Sequence, residues 1–243
     1  MRAYLRFELR RLARDPRLLL FTVLAPVVTY LIFSGIGLDG DRLEGLDAAV
    51  ALMVGLAGYG AVAGVLSVGS AVSQERASGW LRQLRVTPLP AWRAVTAKAL
   101  VCTLSGVPSV IAVGCAGRLA HHVELGAARW VTLLLLMWVG TVPFALLGLA
   151  IGYGLSPQLA QPVNFLAFLG LSVLGGLLVP VAYFPAVLRH LAHALPTYRF
   201  AELGWRSAAG LTPTPSGLAV LIGWTVAFTA LAAWAYRRST VHR

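Results

Sequence analysis

The chain has 243 residues, of which 58% are hydrophobic and 12% charged, and its mean hydropathy is +0.77. Ordinary soluble domains carry about 25% charged residues, and a chain of this size cannot bury so large an apolar excess, so a water-soluble globule is excluded, as are disorder and a collagen-like fibre. Its 20 Lys and Arg against 9 Asp and Glu leave a formal charge of +11, which suits either nucleic acid or a membrane with one charged side.

At the N-terminus, Met1, Leu5, Leu9 and Leu12 fall on one helical face and Arg2, Arg6, Arg10 and Arg14 on another. This predicts an amphipathic interfacial helix over 1–16, ended by Asp15-Pro16. A basic tail that only sets topology accounts for the same arginines equally well. Six apolar stretches follow, each near the roughly 20 residues that a bilayer core demands. They are Leu18–Leu38, Ala48–Gln74, Lys98–Gly117, Trp130–Gly154, Pro162–Phe184 and Gly217–Tyr236. They are continuous rather than alternating, which excludes spanning strands. The first is longer than the 7–15 apolar residues of a secretory signal and lacks its small-residue cleavage site, so it is read as a retained span. The expected fold is all-α and integral to the membrane, with six transmembrane helices in one domain over 1–243.

Sidedness follows from the basic residues. With both termini cytoplasmic, 14 Lys and Arg lie in inside segments and 6 lie outside, namely Arg42, Arg118, Arg129, Arg189, Arg199 and Arg206. No Asp, Glu, Arg or His falls in the middle of a span, and Lys98 sits at an end. Buried ionisable groups mark proton relays, ion-coupled carriers and intramembrane enzymes, so those classes are disfavoured. Gly60 with Gly64 and Gly148 with Gly152 form small-xxx-small steps, read as packing within the subunit. Pro26, Pro108, Pro143 and Pro180 predict helix interruptions.

Between the first two spans, Asp39, Asp41, Glu44 and Asp47 fail the EF-hand pattern and read as a solvated acidic loop. Cys102 and Cys115, the only cysteines, read as packing residues on one helix and stand too far apart for a disulfide. His121 and His122 read as surface residues, and no metal site is expected. No GxxxxGK[ST] occurs, so the chain has no P-loop of its own. The arginines edge the spans and match no nucleic-acid motif.

The largest inside loop, 75–90, places Trp80, Leu81 and Leu84 on a short apolar face among arginines and stops at Thr87-Pro88. A short cytoplasmic helix there suits either a soluble partner or the lipid headgroups. The longest outside segment, 185–216, has an apolar helical face of Val187, Leu188, Leu191, Ala192 and Leu195, broken by Pro196. A second helix follows over Tyr198–Ala209, with Glu202 spaced to pair with Arg199 and Arg206. The segment is too apolar for a free loop and is expected to dip into, or lie on, the outer membrane face.

Glu75-Arg76-x-x-Gly79-x-Leu81-x-x-Leu84-x-x-Thr87-Pro88 resembles the E-R-x-x-G-T-L-x-x-L-x-x-T-P stretch of the ABC-2-type transporter permeases, the membrane subunits of ABC exporters. Trp80 stands where that family commonly has Thr. Pro180, Phe184-Pro185, Leu195-Pro196 and Glu202 resemble its segment between the last two spans, and Arg14-Asp15-Pro16 with Pro26 its approach to the first. The nearest flavour is the daunorubicin-resistance and nodulation-factor branch.

The resemblance implies a permease subunit in the plasma membrane that is no enzyme itself and needs no cofactor of its own. ATP and Mg would be bound by separate ABC ATPase subunits. These would dock on Glu75, Arg76, Gly79, Trp80, Leu81, Leu84, Thr87 and Pro88 and on the interfacial helix with Leu5, Leu9, Leu12, Arg10 and Arg14. A second permease copy, identical or homologous, would complete the pathway. Re-entrant outside helices would close the exit, and the cargo would be amphiphilic, such as a drug, antibiotic or lipid. A membrane scaffold or immunity protein without transport, and an intramembrane enzyme, are the competing classes.

Overall fold

The computed structural model describes residue 10 and residues 15–35, 42–43, 45–79 and 91–241. They are almost wholly helical. Among the described residues, five helices are long and apolar enough to cross a membrane: Ala48–Ala77, Thr96–His121, Ala127–Gly154, Pro157–Leu174 and Pro215–Ser239. Together with the shorter Leu20–Gly35 they form the six expected spans in order, and the all-α membrane architecture holds. The first span is shorter in apolar length than expected, but its helical backbone runs from Pro16 to Gly35. That is about 30 Å, the thickness of a bilayer core. A two-residue ladder pairs Arg42–Leu43 with Leu46–Asp47 ahead of the second span.

The prolines act where the sequence places them. Pro26 removes the amide that would bond the Thr22 carbonyl, and Leu20–Leu24 just before it is π-helical, a common response to a broken ladder. Pro108 and Pro143 each start a new helix after a break, at Gly106 and Thr141. The fifth span departs from the expected Pro162–Phe184. Pro162 lies inside a helix that starts at Pro157 and ends at Leu174. It ends early because Gly175-Gly176 follows, with Gly176 at a φ of +79° that only glycine adopts freely. Pro180 then leads a short 3-10 turn, Val181–Tyr183, outside the span.

The second span is the centre of the bundle. Of its apolar window 83% is buried, against 17% and 22% for the fifth and sixth spans. It packs on the first, third, fourth and fifth spans and on Pro196–Ala208, and the fourth packs along the sixth. Tyr30, Met53, Leu56, Leu66, Met137, Phe144 and Phe200 fill the interior. Lipid offers no apolar driving force for helix association, so close backbone approach and dispersion must supply it. A Cβ on Gly60 would stand 2.6 Å from the Thr22 carbonyl oxygen, and one on Gly64 2.8 Å from that of Ser105. Gly148 and Gly152 face Gly69 in the same way. Both small-residue steps therefore serve packing inside the chain. Cys102 is a core residue as expected, whereas Cys115 is exposed on the bundle surface rather than packed in the core.

Candidate functional site

The second span passes Ala71 and continues as Val72–Ala77. Its end is closed by the Ser78 amide on the Gln74 carbonyl (2.9 Å) and the Gly79 amide on the Arg76 carbonyl (3.2 Å). Gly79 has a φ of +75°, the left-handed helix stop. Trp80, Leu81, Leu84, Thr87 and Pro88 of the expected site lie outside the described residues. The chain is described again from the helix Ala91–Leu104.

The two stems of that loop are joined by charge. Lys98 Nζ donates to Glu75 Oε1 at 2.6 Å, and both side chains are over nine-tenths buried. Removing two ions from water costs several kcal/mol each, and only close geometry offsets it. A short, charge-assisted bond of this kind provides it. Arg76, next in sequence, reaches the other way. Its guanidinium donates to the carbonyls of Gly152 (3.2 Å) and Tyr153. These belong to the last turn of Val142–Gly154, where carbonyls lack helical partners and the helix dipole is negative. Tyr153 then meets Tyr236 of the sixth span edge to face, ring centroids 5.2 Å apart. Thus Glu75 and Arg76 tie the end of the second span to the third, fourth and sixth.

Of the expected interfacial helix, Leu5, Leu9, Leu12 and Arg14 lie outside the described residues, and Arg10 is helical and exposed.

The residues expected between the last two spans gather at the opposite end of the bundle. Ala51 and Glu75 are 24 positions apart on the second span, roughly 36 Å of helix. At the Ala51 end, Phe184 is extended and Pro185 precedes the helix Ala186–Ala194. Arg189 holds this corner by donating to the carbonyls of Ala182 and Phe184, both at 3.2 Å. Leu195 is extended, and Pro196 opens the helix Pro196–Ala208, as its fixed φ favours. Thr197 donates to the Leu171 carbonyl at the end of the fifth span (2.7 Å). Trp224 of the sixth span donates to the Ala194 carbonyl (2.9 Å).

Glu202 is the hub of this end. It accepts from Arg199 Nη1 at 2.8 Å and from Thr214 Oγ1 at 2.9 Å. Thr214 Oγ1 in turn accepts from the Gly217 amide (3.2 Å), so it caps the sixth span. The spacing also allowed a pair with Arg206, but Arg206 Nε instead donates to the Thr212 carbonyl at 2.7 Å. The turn after Ala208 brings that carbonyl closer than the carboxylate, which Thr214 and Arg199 already occupy.

Sequence reading did not mark Lys98, Gly152 or Tyr153 as site residues. The signal for Lys98 is an acid and a base on facing ends of two successive spans around one loop. Gly152 and Tyr153 contribute backbone carbonyls, which side-chain identity does not show.

The comparisons with known proteins agree with this architecture. The family model described as ABC-2 type transporter matches residues 1–204. The Bacillus subtilis (strain 168) protein named "Putative transport permease YvfS" is 23% identical over 231 residues, covering 95% of this chain and 94% of that protein. ABC-2 permeases generally work with ABC ATPase partners. A match over most of the length, on a bundle of apolar helices whose loop stems carry Glu75, Arg76 and Gly79, makes the chain a multi-pass membrane permease belonging to the ABC-2 type transporter family.

Proposed function

We propose that the chain is the translocation subunit of an ATP-driven exporter in the plasma membrane, acting as one domain over 1–243. Both termini and the loop 75–90 face the cytoplasm. Two permease copies, identical or homologous, frame the pathway, and two separate ABC ATPase subunits hold ATP and Mg. The observation that carries this reading is the anchoring of Glu75 and Arg76. Rigid stems beside a short amphipathic loop are what a docking element needs to pass on a push from a soluble partner. Charge supports the sidedness, with 14 of 20 basic residues on the proposed inside. The outside segment 185–216, organised by Glu202 and flanked by Pro180, Phe184, Pro185 and Pro196, closes the exit. The lipid-facing and interior surfaces are apolar and aromatic, which suits amphiphilic cargo such as a drug, antibiotic or lipid.

The test is co-purification. The permease carrying Gly79→Asp or Leu81→Glu inserts in the membrane normally yet loses its ABC ATPase, whereas wild type retains it. Normal ATPase recovery with both variants overturns the docking role of the loop. A wild-type pair whose ATP hydrolysis responds to no amphiphile favours a scaffold without transport.

A further inference from the structure

The Glu75–Lys98 bond is a buried ion pair that joins two spans. Its position is specific. Glu75 precedes the loop 80–90 by one helical turn and Lys98 follows it by about two turns, so the bond closes the base of the loop. It sets the two stems at a fixed distance by a directional contact, which apolar packing alone does not specify. With it, a displacement applied to the loop must move both stems together. Arg76 extends the linkage to the carbonyls of Gly152 and Tyr153, and Tyr153 to Tyr236. The route from the loop base to the fourth and sixth spans is therefore polar and directional at its first two steps.

We propose that Lys98 is a positioning residue for energy coupling: by pairing with Glu75 inside the loop base it makes the second and third spans respond to the ATPase as one rigid unit. The proposal rests on the docking role of the loop. Lys98 does not meet the ATPase or the cargo; it acts through Glu75. A buried pair that only stabilised the fold would be replaceable, as a pair, by apolar side chains of similar volume, whereas removing one partner strands a buried charge. A pair that transmits displacement requires opposite charges in contact.

The experiment uses the permease with its co-purifying ABC ATPase in proteoliposomes. In a Cys102→Ala, Cys115→Ala background, spin labels at the exposed positions Gln74 and Thr96 report the separation of the two stems. In the parent the distance distribution is single and narrow, with and without ATP. Lys98→Met broadens it and lowers ATP hydrolysis by the assembled complex about tenfold, the effect expected for loss of one charge-assisted hydrogen bond. Lys98→Arg, which keeps a cation opposite Glu75, retains both readouts, whereas the apolar pair Glu75→Leu, Lys98→Met, which strands no charge, shows the same losses as Lys98→Met. Unchanged distances and hydrolysis in Lys98→Met overturn the proposal, as does parent-like behaviour of the apolar pair. Loss of the ATPase from the parent permease instead refutes the docking reading, a separate outcome.

Discussion

The indole of Trp205 donates to the backbone carbonyl of Ala51 at 3.0 Å, joining residues 154 positions apart. It fixes the helix Pro196–Ala208 on the central second span at the end opposite Glu75. Tyr198 meets the same indole edge to face at 5.9 Å. Trp205→Phe keeps the ring and loses the donor, while the Ala51 carbonyl keeps its helical partner, so the expected loss is about 1 kcal/mol. Trp205→Ala also empties a buried volume, and the expected loss is about 3–5 kcal/mol. Thermal unfolding of the purified permease in detergent ranks the two. Equal losses would show that the ring, and not the bond, anchors this helix.

Backbone contact between the second and fourth spans makes a sharper prediction. A Cβ on Gly69 would stand 2.6 Å from the Gly148 carbonyl carbon, and no rotamer can move backbone away. Gly69→Ala should therefore force the helices apart and cost about 1–3 kcal/mol. Gly223, within the sixth span, has nothing within 4 Å of its would-be Cβ. Gly223→Ala should be neutral or stabilising by up to about 1 kcal/mol, since alanine favours helix. Both are read from detergent melting temperatures. Similar shifts would mean that the close approach of Gly69 to Gly148 carries no weight.

The same residues show how far sequence reaches in such a chain. Span number and order were legible because apolar length is set by bilayer thickness and needs no knowledge of neighbours. Pro108 and Pro143 were legible as breaks because proline acts on its own backbone. The limits of the fifth span were not: Pro162 is tolerated in the second turn of its helix, and the true stop is Gly176, whose φ a linear reading does not show. Glu75 and Glu202 were both singled out, and of the two arginines within helical reach of Glu202 only Arg199 pairs with it, while Arg206 turns to the Thr212 carbonyl. Lys98 is 23 positions from Glu75, and the carbonyls that hold Arg76 are 76 and 77 away. Such pairings depend on helix rotation, which a uniformly apolar span leaves undetermined by periodicity.

Glu202 accepts from two side chains at once, so its variants should separate. Glu202→Ala leaves Arg199 without its carboxylate and Thr214 without its acceptor. Arg199 Nε already has no partner among the described residues. The expected loss is about 2–3 kcal/mol, the range for a hydrogen bond to a charged group. Thr214→Val removes only the cap on Gly217 and one bond to Glu202, an expected loss of about 1 kcal/mol. The double variant should lose less than the sum, because both act on one network. Strict additivity in detergent unfolding would sink the hub.

Acid should loosen this same segment through His193. Its ring stacks on Tyr198, centroids 4.3 Å apart. Burial first, then the Arg199 charge, lowers its pKa from the ordinary value of 6.5; His190 and Arg189 act in the same direction and Glu202 opposes them. The neutral ring is thus favoured in the folded state. Its contribution is complete above the unfolded pKa of about 6.5 and is lost as pH falls from there toward the lowered folded value. Wild type should therefore lose more thermal stability between pH 7.5 and pH 5 than His193→Gln, which cannot take up the proton. Proteolysis of the segment around Ala194 should accelerate over the same window in wild type alone. Parallel curves for the two proteins would assign the acid sensitivity to another group, whereas a wild-type loss confined to the range below 6.5 follows from a ring held neutral between Tyr198 and the Arg199 cation.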